Sequence, residues 1–252
     1  MIYLKTDEEI EKIRKSGTLA ANTLRIIEPY IKPGITTLEL NQICHNYIVE
    51  HGAIPAPLNY RGFPKSICTS INEVICHGIP SAREKLKEGD IINIDVTTIL
   101  DGYFGDCSKT FFVGQCSSRA HDLVETTKRC MYLGIDAVKV GGHLGDIGEA
   151  IQTYARSKSY SVVIDFVGHG IGTHFHEDPQ VFHVGIRGRG EKLVPGMVFT
   201  IEPMINEGTH KMKVLSNGWT AVTRDKKLSA QFEHTIGIKS DGSVCILTEP
   251  DI

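Results

Sequence analysis

The stretch Ile91-Ile92-Asn93-Ile94-Asp95-Val96-Thr97-Thr98-Ile99-Leu100-Asp101-Gly102-Tyr103-Phe104-Gly105-Asp106-Cys107-Ser108 decides how this chain folds. Its first ten residues are rich in Ile, Val and Thr and read as a strand. Period-2 alternation puts Asn93, Asp95 and Thr97 on one face and Ile92, Ile94 and Val96 on the other. Asp101-Gly102 is a two-residue hairpin signal, which predicts a return strand from Tyr103 to Val113. Pairing Leu100 with Tyr103 sets Asp95 opposite Ser108 and Asp106 diagonally on the same face, within about 8 Å between backbones. Two carboxylates then converge, and their repulsion raises one pKa unless a cation neutralises both.

Acids are depleted in strands and costly to bury unpaired. Two more interrupt apolar or alternating segments downstream: Glu202 in Val198-Phe199-Thr200-Ile201-Glu202-Pro203-Met204, and Glu233 in Ser229-Ala230-Gln231-Phe232-Glu233-His234-Thr235-Ile236. A single strand acid is more often an edge guard or half of a salt bridge, but four of one kind change the odds. His169 stands in Val167-Gly168-His169-Gly170-Ile171-Gly172, after an apolar strand expected from Val162 to Val167. The glycines there allow close backbone approach, although a histidine beside glycine is commonly just a turn residue. Four oxygen-donor acids and one imidazole suit two adjacent divalent ions of intermediate hardness, such as Mn, Fe(II), Co or Zn. Such a pair performs hydrolysis by acidifying water and polarising the attacked carbonyl.

Outward from these acids, the order of elements repeats. Helices expected at about 7 to 28 and 37 to 51 precede one strand set, and helices at about 119 to 139 and 145 to 158 precede another. A shift of 107 positions aligns Lys32-Pro33-Gly34 with Lys139-Val140-Gly141 and Tyr47 with Tyr154. The same shift carries Glu88-Gly89-Asp90 through Asp95 onto Pro195-Gly196-Met197 through Glu202. Two related halves, about 6–113 and 119–247, within one domain of 1–252 explain a shared offset that ends on two acids. Strands clustered at the end of each half predict an α+β fold with a mainly antiparallel sheet covered by helices.

Bulk properties narrow the function. The 252 residues are 41% hydrophobic and 23% charged, with a formal net charge of −3 and no run of Lys and Arg longer than two, which disfavours nucleic acid as the main partner. Seven scattered cysteines without a C-x-x-C pair fit a reducing compartment. Thr6-Asp7-Glu8-Glu9 is a capping box ahead of an amphipathic helix, unlike a secretory leader, and no apolar run reaches a membrane span. Cytoplasm is the expectation, and without heptads or a long exposed apolar strand so is a monomer.

Across its whole length the sequence resembles the type I methionine aminopeptidases of the pita-bread fold, peptidase family M24. The resemblance rests on Ser70-Ile71-Asn72-Glu73-Val74-Ile75-Cys76-His77-Gly78-Ile79-Pro80, Asn93-Ile94-Asp95-Val96-Thr97, Gly105-Asp106-Cys107-Ser108, Gly168-His169-Gly170-Ile171-Gly172, Glu177-Asp178-Pro179, Phe199-Thr200-Ile201-Glu202-Pro203 and Gln231-Phe232-Glu233-His234-Thr235. It implies removal of the initiator methionine from nascent chains at the ribosome when the second residue is small. Asp95 would bind one metal, Asp106 and Glu233 would bridge both, and His169 with Glu202 would complete the second, with a bridging hydroxide as nucleophile. Glu202 would also be the general acid and base. His77 and His176 would donate hydrogen bonds to the peptide or its oxyanion.

By the same resemblance Tyr60, Phe63, Cys68, Phe175 and Trp219 would line a methionine pocket. Trp219 also follows an Asn217-Gly218 turn, where a purely structural aromatic is less expected. Asn72, Val74 and Ser229 match positions that hold a monovalent cation. His45, His51, His121, His143, His183 and His210 read as solvated or structural, and His174 as a bystander. Pro57 stands where the family often has cysteine, and Phe63 where it often has tyrosine. A zinc-finger extension and the type II helical insertion have no counterpart here, which implies a short bacterial-type or organellar form without its leader. Two rivals compete: an X-Pro aminopeptidase or prolidase of the same fold, which needs an N-terminal domain for which the chain has no room, and a non-catalytic binding protein, which predicts broken ligands.

Overall fold

The side chain of Thr6 accepts the Glu9 N–H at 3.2 Å while the Glu9 carboxylate accepts the Thr6 N–H at 2.8 Å, and this reciprocal cap starts helix α1 (Asp7–Ile27). Thr36 and Glu39 cap α2 (Thr37–Glu50) in the same way, and the Ser117 hydroxyl caps α3 (Ser118–Asp136), followed by α4 (Leu144–Ser157). Residues 1–251 of the chain are described in this computed structural model. The third helix stops short of the expected 139, because Lys139 to Gly142 form a turn in which Gly142 N–H bonds Lys139 O at 2.9 Å.

The hairpin forms as expected. Ile91–Leu100 pairs antiparallel with Tyr103–Phe112 in continuous register, Leu100 opposite Tyr103 and Asp95 opposite Ser108, around Asp101 and Gly102 at φ +52° and +81°. Cys68–Ile71 and Ile54–Pro55 extend this sheet on the other edge of Ile91–Leu100. Ile92, Ile94 and Val96 are fully buried against α1 and α2, which leaves Asn93, Asp95 and Thr97 facing the opposite side. A second antiparallel sheet centres on Val198–Ile201, between Gly168–Gly170 and His234–Ile238, and its apolar face packs on α3 and α4. Two three-stranded sheets, Ser161–Val162/Met204–Asn206/Ser229–Gln231 and Val74–Cys76/Ala221–Thr223/Met212–Val214, complete the structure.

The offset of 107 positions recurs in three dimensions. It relates the starts of α2 and α4, the starts of the Ile91 and Val198 strands, and the lone bridges Thr36↔Lys85 and His143↔Lys192. Two expectations need correction. The apolar run Val162 to Val167 is a strand only at Ser161–Val162; after Val163 N–H bonds Met204 O at 3.0 Å, the chain leaves the sheet and Ile164 is exposed. Glu233 is not inside one continuous strand but between Ser229–Gln231 and His234–Ile238, because the chain crosses there from one sheet to another.

Candidate metal centre

Four parts of the fold deliver the five acidic or imidazole side chains, two from the hairpin and one each from the other three. Asp106 sits opposite Thr97, whose hydroxyl donates to Asp106 Oδ1 at 2.7 Å and leaves Oδ2 free. That Oδ2 lies 3.7 Å from His169 Nε2, and Glu202 Oε1 lies 3.7 Å from the same nitrogen. The His169 ring is oriented by Nδ1–H donating to Gly170 O at 3.0 Å, and its backbone N–H donates to Thr200 Oγ1 at 3.0 Å. Both flanking glycines are steric requirements: a Cβ would come within 2.4 Å of Thr200 O at Gly168 and 2.0 Å of Asp178 O at Gly170. Glu202 accepts from the Thr200 hydroxyl at 2.7 Å and from Gln231 Nε2 at 3.3 Å. Single ligand-type atoms of Asp106, His169 and Glu233 all lie within 4.8 Å of one another, and Asp95 and Glu202 open on the same cavity.

Electrostatics make the carboxylate cluster unstable on its own. Burial pushes Glu202 up to about 8 and Asp95 up to about 7. Burial, then the neighbouring Asp95 charge, holds Asp106 well above the usual range, and burial with the Asp106 charge does the same to Glu233. Burial lowers His169 to about 4, so it is a neutral imidazole with its Nε2 lone pair turned toward Asp106 and Glu202. Among the described residues the only cation-type ion-pair partner of these acids is His169 itself. Four enclosed carboxylates with no Lys or Arg beside them, and an imidazole already fixed by its other nitrogen, are a donor set that fits divalent cations of intermediate hardness.

A cavity of about 310 Å³ rises from these acids. Tyr60, Phe63, Cys68, Phe175 and Trp219 all line it, as do His77 and His176. Trp219 meets Phe63 edge-on at 5.2 Å between centroids, Phe175 lies 4.9 Å from Tyr60, and the Tyr60 hydroxyl is 3.0 Å from His176 Nδ1. Pro57 is also on the wall. The sequence reading named Thr97 and Gln231 only as polar-face residues and missed Phe166 and Met204. Alternation could have flagged Thr97 and Gln231, whereas Phe166 stacks edge-on against His77 at 5.3 Å from a segment expected to be strand.

The remaining positions fall elsewhere. Ser229 N–H donates to Asn72 O at 2.8 Å, Ser229 Oγ is buried without a partner, and Val74 lies on the adjoining strand, so the three positions are neighbours away from the carboxylates. His174 is exposed, and His45, His51, His121, His143 and His210 do not reach the cavity. His183 is buried outside it, behind Glu202.

Residues 11–240 match metallopeptidase family M24. The chain is 61% identical over 247 residues to methionine aminopeptidase A of Synechocystis sp., covering 98% of this chain and 97% of that one. It superposes on the crystal structure of methionine aminopeptidase from Rickettsia prowazekii with a TM-score of 0.96 at 53% identity, covering 98% of this chain and all of that one. An Xaa-Pro dipeptidase from Bacillus anthracis shares the fold, with a TM-score of 0.78 at 20% identity over 98% of this chain and 62% of its own.

Proposed function

The chain belongs to metallopeptidase family M24 and removes N-terminal methionine from polypeptides in a metal-dependent reaction, and on that premise we propose that Asp95, Asp106, His169, Glu202 and Glu233 hold two divalent ions for that hydrolysis. The observation that supports the assignment is the convergence of four enclosed carboxylates and a neutral imidazole, without Lys or Arg, on the floor of an aromatic cavity. The X-Pro alternative is not favoured, since relatives at this identity are methionine aminopeptidases. Co, Mn, Fe(II) and Zn all suit the donors.

When bound, the ions supply Lewis acidity that polarises the scissile carbonyl and acidifies water. The methionine side chain enters between Tyr60, Phe63, Cys68, Phe175 and Trp219, where an unbranched, polarizable thioether packs on ring edges. Glu202, a carboxylate that lines the cavity floor and accepts from Thr200 and Gln231, takes the proton of the attacking water and returns it to the leaving amine. Tyr60 donating to His176 Nδ1 leaves Nε2–H of His176 as a donor toward the oxyanion, and His77 flanks the peptide from the opposite wall. Small second residues pass most readily. The partnerless Ser229 hydroxyl with the Asn72 and Val74 backbone supports a monovalent cation at that place, outside the cavity.

The working form is a monomer acting in the cytoplasm on nascent chains at the ribosome, with residues 1–252 as one catalytic unit; seven unpaired cysteines support the reducing compartment. Methionine release from Met-Ala-Ser, Met-Leu-Ser and Ala-Pro peptides, with added metal and after chelation, tests the reading. Preferred cleavage of Met-Ala-Ser that chelation abolishes is expected. Turnover that survives chelation, or preferred cleavage of Ala-Pro, overturns it.

A further inference from the structure

Glu202 leaves the sheet at the point where it is needed. The ladder of Val198–Ile201 with His234–Ile238 ends at Ile201↔His234, and Pro203 follows, so no strand neighbour serves the Glu202 N–H. That N–H donates instead to Nε2 of His183 at 3.1 Å. His183 is 1% exposed and lies two residues beyond Glu177–Val181, the strand that pairs with the one carrying His169. Its other nitrogen, Nδ1, is buried with no partner. The loop that carries it is clamped: Gln152 Nε2 donates to Gly185 O at 2.7 Å, and a Cβ at Gly148 of α4 would meet the Val184 carbonyl at 2.5 Å.

Acceptance at Nε2 requires the tautomer with hydrogen on Nδ1, so the residue keeps an unpaired buried donor in order to offer one acceptor. A leucine would fill the space without that donor. We propose that His183 is a positioning residue, which holds the Glu202 backbone through its Nε2 lone pair and so aims the Glu202 carboxylate between Thr200, Gln231 and His169. The inference rests on the role assigned to Glu202 above. The connection runs from the His169 strand, through Glu177–Val181 and the imidazole, to Glu202, and adds a second link between two site residues whose own strands meet at the single pair Gly170↔Phe199.

Three variants and one spectroscopic measurement test this. In metal-free, ¹⁵N-labelled protein, a scalar coupling across the Glu202 N–H···Nε2 His183 hydrogen bond is expected, and its absence overturns the geometry. His183→Leu is expected to lower kcat on Met-Ala-Ser by about 10- to 100-fold with KM and bound metal nearly unchanged. Gln places an oxygen near the Nε2 position and Asn does not reach it, so His183→Gln recovers most of the loss and His183→Asn recovers none. Unchanged kcat in His183→Leu, equal kcat in the Gln and Asn variants, or an effect confined to melting temperature overturns the proposal. Should the wild-type protein release no methionine, the functional reading fails, while the coupling still reports on the contact.

Discussion

Ser108 and Glu233 exchange two backbone hydrogen bonds, Glu233 N–H to Ser108 O at 3.0 Å and Ser108 N–H to Glu233 O at 3.4 Å, in a bridge outside every strand ladder. This bridge is the seam between the hairpin and the segment that links Ser229–Gln231 to His234–Ile238, and it brings Asp106 and Glu233 side by side. Side chains reinforce it: Thr110 and Asn93 donate to Gln231 O at 2.7 and 2.9 Å, and the Thr235 hydroxyl donates to Asp106 O at 2.8 Å while accepting Asp106 N–H at 3.3 Å.

Thr235→Val removes the one group that serves both backbone atoms of Asp106 across the seam, and it leaves them buried. Loss of about 1–3 kcal/mol of stability is expected, read as a lower denaturation midpoint in urea with an unchanged slope. A midpoint equal to wild type would mean that the seam contributes nothing.

Thr97→Val keeps the shape but frees Asp106 Oδ1 from its 2.7 Å donor. Since such outer contacts typically contribute 10- to 100-fold to metal affinity, calorimetric titration of Mn(II) or Co(II) into the metal-free protein is expected to show weakening of about tenfold or more. Melting of the metal-free variant should stay within a few degrees of wild type.

Glu202→Gln keeps volume and the contact with Thr200, and it removes the proton acceptor. Circular dichroism and the melting profile are expected to be retained, with kcat reduced by about 10²-fold or more. Near-normal turnover would remove Glu202 from the acid-base role.

The metal-free protein has a pH signature. Carboxylates raised by burial, Asp95 to about 7 and Glu202 to about 8, bind protons more tightly folded than unfolded, where the value is about 4. Their contribution is complete below the unfolded value and is lost as pH rises through 7 and 8. Buried histidines have the opposite sign: His169 and His234 at about 4 and His176 and His183 at about 3 contribute above the unfolded value of about 6.5, and that contribution is lost as pH falls toward 4. Asp106 and Glu233, also raised by burial, add to the loss on the alkaline side, so melting temperature after chelation should fall as pH rises above about 6.5, and added Mn(II) should lift that side most. A flat profile from pH 6 to 9 would contradict the assigned burial.

Much of this protein was determined by local sequence. Asp101-Gly102 admits only a tight hairpin, so the register that sets Asp95 opposite Ser108 and brings Asp106 alongside was legible from alternation and turn chemistry alone. The capping boxes at Thr6 and Thr36 marked helix starts for the same reason: the partners are three residues apart. Tertiary structure decided the rest. Phe166 reaches His77 because the chain abandons its sheet after Val163, and Glu233 meets Asp106 because two sheets join at a lone bridge; neither event leaves a periodic trace in the sequence. His183 belongs to the same class, since its partner Glu202 is 19 residues away and the bond exists only where a ladder stops. Periodicity encodes which face a residue occupies, but which faces meet depends on long-range packing, and at that seam the buried acids are brought together.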